Sequence, residues 1–142
     1  MYYPYISPEW KNMSLDLKDW GTFPQIGKGY GFTSEGRFYS LLETKAGSYR
    51  GNHTHPYDQY SVLVAGSAKY VWKEGGKTHE KPLEKGKVFP MKAGVPHVMV
   101  PETDIVTFEW WDGPFVAENL KSVFDAYTDG KQGPDKIRAK GD

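Results

Sequence analysis

The chain has 142 residues, with 18 basic and 18 acidic side chains and a formal net charge of zero. That is one domain of ordinary size, long enough to bury a core without disulfide or metal staples. The even charge leaves no electrostatic footprint for nucleic acid, and the lack of cysteine excludes thiol catalysis and Cys-type zinc sites. No apolar run approaches the ~20 residues that span a bilayer. The opening stretch MYYPYISPEW has neither the basic nor the apolar region of a signal peptide, so a cytoplasmic protein without a membrane partner is expected.

Residues 1–35 read as an irregular N-terminal arm packing on a barrel or on a partner subunit. Pro4, Pro8 and Pro24 argue against a long helix there, and Trp10, Leu15, Leu17 and Trp20 are its candidate anchors. Residues 36–115 read as the barrel itself. Arg37–Lys45 is a strand, and Ala46–Ser48 is its turn. A strand ending at Gly66–Ser67 pairs with Ala68–Glu74 in a hairpin, and Gly75–Gly76 closes the far end. Lys77–Lys87 is polar surface, with His79 a solvated loop histidine, and Val88–Met91 is a short strand. His97–Val100 and Ile105–Trp111 form a further hairpin. Pairing Val100 with Ile105 turns Val106, Phe108 and Trp110 inward with His97, and Glu109 and Trp111 outward. Pairing Ala65 with Ala68 puts Tyr70 and Trp72 on the inner face as well. Residues 116–127 form a helix, since Val116, Leu120, Val123, Phe124 and Tyr127 recur at near-helical spacing. Residues 128–142 read as a mobile tail. Many short strands with one late helix define an all-β barrel or sandwich.

The stretch Gly47–Gly66, GSYRGNHTHPYDQYSVLVAG, carries the chemistry. Strand side chains alternate faces, so His53, His55 and Gln59, all odd, point the same way from an extended chain. On a helix, residues 53 and 55 would lie about 200° apart. Two histidines at i and i+2 with a third donor four residues on make a metal clamp carried on a strand. Tyr57 shares the parity and is the candidate proton carrier. Arg50 is suited to pair with a carboxylate or phosphate of a substrate. Tyr70, Trp72, Phe108 and Trp110 are candidate pocket aromatics.

The spacing of Gly47, His53, His55, Gln59 and Gly66 resembles the first motif of the cupin family, with Gln59 where Glu is usual. Gly86, Gly94 and His97 resemble the second motif, with Lys92 where Pro is usual and Pro101 where Asn is usual. The resemblance covers residues 36–112. It implies a double-stranded β-helix, the cupin jelly-roll barrel, with His97 as fourth ligand of one divalent metal ion (Zn, Ni, Fe or Mn). The run Arg50–His55 and the run Thr103–Trp110 resemble the cupin domain of capsular-polysaccharide epimerase/reductase enzymes. His55–Gln59 is similar to cupins of uronate breakdown that open sugar rings. The related sugar-nucleotide ketoisomerases share an RGxHxH-type run and use their histidines as acid and base without metal. These likenesses imply a small-molecule substrate, a sugar derivative, and metal-assisted proton transfer beside a carbonyl. With Gln at position 59 the donor set is neutral and the ion keeps its full charge, which favours redox-neutral chemistry. An iron-dependent dioxygenase of a small organic molecule and a non-enzymatic binding cupin stand as alternatives. A homodimer is expected, in which the aromatic N-terminal arm takes part.

Overall fold

The computed structural model describes residues 17–141, with side chains described through residue 137. The arm residues Pro4, Pro8, Trp10 and Leu15 lie outside the described residues. Among the described residues eleven strands and two short helices occur. In chain order the strands are β1 (Lys18–Asp19), β2 (Gly29–Ser34), β3 (Arg37–Thr44), β4 (Arg50–Thr54), β5 (Gln59–Ala65), β6 (Ala68–Glu74), β7 (Lys77–Pro82), β8 (Val88–Met91), β9 (His97–Pro101), β10 (Ile105–Trp111) and β11 (Glu118–Asn119). The helices are α1 (Asp125–Thr128) and α2 (Pro134–Gly141). The strands form two antiparallel sheets, ordered β1-β2-β3-β10-β5-β8 and β11-β4-β9-β6-β7. No described helix is long and apolar enough to cross a membrane.

The two sheets enclose one interior. Leu63, Ala68, Tyr70, Met91, Met99 and Ile105 make its apolar end. Along β5 and β10 burial alternates residue by residue, as expected for a sheet with one covered face. Strand β9 is buried throughout because both its faces are covered. His97 and Met99 face the opposite sheet, while Val98 and Val100 pack with Val71, Tyr49 and Phe124 of the C-terminal segment.

Two expected hairpins do not form. β5 and β6 lie in different sheets, as do β9 and β10. At the corners between them the two connections bond to each other: Ser67 donates its backbone N–H to Thr103 Oγ1 (2.9 Å), and Glu102 N–H bonds to the Ser67 carbonyl (2.8 Å). The chain therefore steps from one sheet to the other at both places. The neighbours of β10 are β3 and β5, with Glu109 opposite Ser40 and Ser61 and with Trp110 opposite Tyr39 and Tyr60. This reverses the expected facing: Thr107, Glu109 and Trp111 point in, and Val106, Phe108 and Trp110 point out. The hairpin β6–β7 closed by Gly75–Gly76 does form.

The ends of the chain also differ from expectation. β1 and β2 belong to the six-stranded sheet, so a barrel boundary at residue 36 would cut the β2–β3 hairpin at its turn. The helix expected over residues 116–127 is confined to Asp125–Thr128. Glu118 and Asn119 pair instead with the open edge of β4, and Ser122 has a positive φ of 57° that breaks helical continuity. The segment expected to be a mobile tail contains α2.

Candidate metal centre

The centre is built on a bulge in β4. Arg50 is level with Met99, Gly51 with Val98, and His53 with His97, so Asn52 is an extra residue. Gly51 (φ 99°) and Asn52 (φ 64°) both take positive φ, the region that glycine and asparagine enter at least cost. An extra residue shifts side-chain parity by one. Arg50 and His53, of opposite parity, are thereby turned into the same interior.

Three histidine rings meet there. The His53 centroid lies 4.2 Å from that of His55 and 4.9 Å from that of His97, and His55 and His97 are 5.1 Å apart. One nitrogen of each falls within 4.8 Å of the others. His55 Nδ1 is 2.7 Å from the Val116 carbonyl and His97 Nδ1 is 2.9 Å from the Val95 carbonyl. A carbonyl only accepts, so each Nδ1 carries the proton and each Nε2 presents a lone pair. Both Nε2 atoms are buried without a hydrogen-bond partner, and so is Gln59 Oε1. Burial holds the His97 imidazole well below its ordinary value, down to about 3, with the neighbouring His55 adding to the effect and the Val95 carbonyl opposing it. Burial lowers His55 too, against the Val116 carbonyl and the nearby Gln59 side chain. Both rings are thus held in the neutral form that ligation requires.

Gln59 opens β5 on the opposite sheet and shares the hollow with His53 and His97. Its Nε2 lies 2.6 Å from Glu109 Oε1, 2.7 Å from the Tyr70 hydroxyl and 3.1 Å from Ser61 Oγ. Ser61 Oγ (3.1 Å) and the Tyr70 hydroxyl (3.3 Å) also reach Glu109 Oε1, and Thr107 Oγ1 donates to Oε2 at 2.8 Å. Burial raises the Glu109 carboxyl, while Thr107, Ser61, the Arg50 charge and Tyr70 pull it back. The Tyr70 phenol is held well above its ordinary value, first by burial and then by Glu109.

These residues fit a divalent ion. Unpartnered buried acceptors are rare, and here two imidazole nitrogens and an amide oxygen are found together beside a third imidazole. An imidazole whose other nitrogen donates to a carbonyl is the usual form of a metal-ligating histidine. The set His53, His55, Gln59 and His97 would hold the ion, three donors from one sheet and one from the other.

The other expected site residues are divided. Tyr70 and Arg50 line the hollow. Arg50, however, gives its donors to Thr44 Oγ1 and to the carbonyls of Gly21, Gly27 and Glu43. Trp72 lies level with His97 but packs on Phe89 and His79 at a second hollow. Phe108 and Trp110 stand on the outer face. Tyr57 is 37% exposed and its ring lies across the backbone of Gly113, so the structure does not bring it to the histidines. Sequence reasoning missed Glu109, which faced outward in the expected register, and Asp135 and Phe115, which also line the hollow. The available signal was the polar alternation of Thr107 and Glu109 on a strand whose other face is Val106, Phe108 and Trp110.

No protein-family model matches the sequence, and no curated protein matches it significantly. Solved structures do match. The capsular polysaccharide assembling protein CapF from Staphylococcus aureus superposes with a TM-score of 0.64 at 21% identity, over 79% of this chain and 34% of its own. An oxalate decarboxylase superposes at 0.66 with 19% identity, over 89% of this chain and 34% of its own. A variant of Bacillus subtilis oxalate decarboxylase OxdC gives 0.65 at 20% with the same coverage. A further matching structure concerns Mn(II) centres in that enzyme. The chain thus spans about a third of the length of the structures it matches. Its fold is an all-β double-stranded β-helix, the cupin-type jelly roll that these structures share.

Proposed function

We propose that the chain is a metal-binding cupin that rearranges a sugar derivative by redox-neutral proton transfer, as an isomerase, an epimerase or a ring-opening enzyme. The observation that carries the reading is the group of buried donor atoms without partners, His55 Nε2, His97 Nε2 and Gln59 Oε1, beside His53. A divalent ion bound there would supply Lewis acidity toward a carbonyl or hydroxyl oxygen. The neutral donors leave its charge uncompensated at the first contact, which favours an electron-rich oxygen over oxidation of the ion. Trp20, Trp111 and Phe115 make an aromatic wall of the same hollow, a surface on which a sugar face can stack. Since Tyr57 is displaced from the hollow, the proton falls to Asp135. Asp135 presents a carboxylate to the hollow, oriented by the Tyr49 hydroxyl (2.7 Å) and Asn52 Nδ2 (3.0 Å). The likeness to CapF, whose name ties it to capsular polysaccharide, supports a carbohydrate substrate.

The test is elemental analysis of untagged protein purified without chelator, followed by incubation with keto-sugar nucleotides and unsaturated uronates in D2O. One divalent ion per chain, lost in His97→Ala, with deuterium entering the carbon beside the carbonyl, is the expected result. Iron with oxygen uptake and no deuterium exchange would replace this reading with the dioxygenase.

We propose further that two copies associate through the outer face of the six-stranded sheet. Phe32 stacks on Tyr39 (5.0 Å), Phe108 lies 6.4 Å from Tyr39 and 5.6 Å from Trp110, and Trp110 stacks on Tyr60 (5.4 Å). Leu41, Val64 and Val88 on this face are about half exposed. A sheet face that meets water is ordinarily polar. A face that is apolar across adjacent strands, with Arg37 and Glu43 only at the ends of β3, complements itself, as a two-fold interface requires.

A further inference from the structure

We propose that Glu109 is a positioning residue that fixes which end of the Gln59 amide faces the histidines. The proposal rests on Gln59 serving as a donor to the ion. An amide has an accepting end and a donating end of nearly equal size, so packing alone does not choose between them. The far end decides. Gln59 Nε2 is 2.6 Å from Glu109 Oε1, and a carboxylate accepts on both oxygens. Thr107 Oγ1 occupies Oε2, and Ser61 and Tyr70 direct hydroxyls at Oε1, so donors converge on Glu109 from three strands. Turning the amide over would face oxygen against oxygen at that distance. It would also turn an NH2 toward His55, on the side an ion would need. With Glu109 in place, Gln59 Oε1 is the end left without a partner.

This arrangement also places the site's negative charge one residue back from the donor set. Glu109 is 5% exposed and lines the same hollow, so the charge absent at position 59 lies directly behind it. The amide transmits its orientation, and the carboxylate does not itself touch the ion.

The experiment measures Zn2+ affinity by competition with a chromogenic chelator for the full chain, for Glu109→Gln, for Gln59→Ala and for the double variant. Glu109→Gln should weaken Zn2+ binding by about 10- to 100-fold, the usual cost of losing such a support. The double variant should bind no more weakly than Gln59→Ala alone, because Glu109 acts through that amide. An unchanged affinity in Glu109→Gln, or losses that multiply in the double variant, would overturn the proposal. A second measurement needs no variant and no ion. In the unsubstituted protein, NMR should show a slowly exchanging Gln59 side-chain NH2 with a scalar coupling across the hydrogen bond to the Glu109 carboxyl carbon. A freely exchanging NH2 overturns the proposal even if Glu109→Gln does not fold. Failure of the unsubstituted protein to bind metal would overturn the metal-centred function, and the NMR result would still decide the orientation of the amide.

Discussion

Arg50 shows how a residue suited to a substrate is instead used by the fold. Its Nη1 reaches the Gly21 carbonyl at 2.8 Å, its Nη2 the Glu43 carbonyl at 2.8 Å, and its Nε the Thr44 hydroxyl at 2.9 Å. Three directions from one planar group tie the segment after β1 and the end of β3 to β4. Removing it leaves buried acceptors without donors, each costing about 1–3 kcal/mol. Arg50→Ala should therefore lower stability by on the order of 3 kcal/mol in urea unfolding, and Arg50→Lys should recover little of it, because an ammonium cannot satisfy the fork. A lysine variant of full stability would show that the charge alone matters. The residue was legible as important from its place beside His53, but its inward direction was not. Parity alone sends residue 50 away from residue 53. The clue was the Gly51–Asn52 pair, two residues that enter positive φ readily, set between them. Parity did succeed for His53 and His55, because the bulge precedes both; Gln59 meets them from β5 of the opposite sheet, beyond the reach of a parity argument.

At the scale of elements, the C-terminal segment shows the difference between reading burial and reading conformation. Leu120, Val123, Phe124 and Tyr127 do pack together on Val71, Val98 and Val100, as their spacing suggested. The chain reaches that packing through a strand pair, bends and a four-residue helix, because the edge of β4 offered backbone partners that a helix would have refused. Further on, α2 is seated by Gly133. A Cβ there would lie 2.1 Å from Cζ of Tyr49, a ring that is fully buried and cannot yield. Gly133→Leu should detach α2 while sparing the barrel: hydrogen exchange should speed up through 134–141 and stay slow in β9. Uniform acceleration would mean that the C-terminal segment is integral to the barrel. The corner connections were illegible for another reason. Short links between apolar strands resemble hairpins locally, and only the bond between the two corners reveals that the chain changes sheets.

For the whole molecule, the two sheets divide the chemistry unusually. The six-stranded sheet turns Ser40, Ser61, Thr107 and Glu109 inward and keeps much of its aromatic surface outside. Of the four aromatics read as pocket lining, Phe108 and Trp110 belong to this outer face, with Phe32, Tyr39 and Tyr60 beside them. If two copies bury that face, light scattering should give the mass of two chains, and Trp110→Glu should give one, with Zn2+ binding per chain unchanged. A single-chain mass for the unsubstituted protein would refute the association. The jelly-roll class, the strand content and the histidine cluster were all legible from motif spacing. The sheet face was not, because inside and outside depend on which strands are neighbours.

The network joining Gln59, Ser61, Thr107 and Glu109 of one sheet to Tyr70 of the other has a mechanical consequence. Apolar side chains meeting across an interior resist separation but little resist sliding, since dispersion is indifferent to direction. Hydrogen bonds are directional, and Tyr70 engages Gln59 at 2.7 Å from across the gap. The barrel therefore has a latch against shear beside the histidines, set directly against the apolar cluster of Leu63, Met91 and Met99. Tyr70→Phe, which removes one oxygen atom, should lower the force at which the sheets slip more than it lowers the force that parts them.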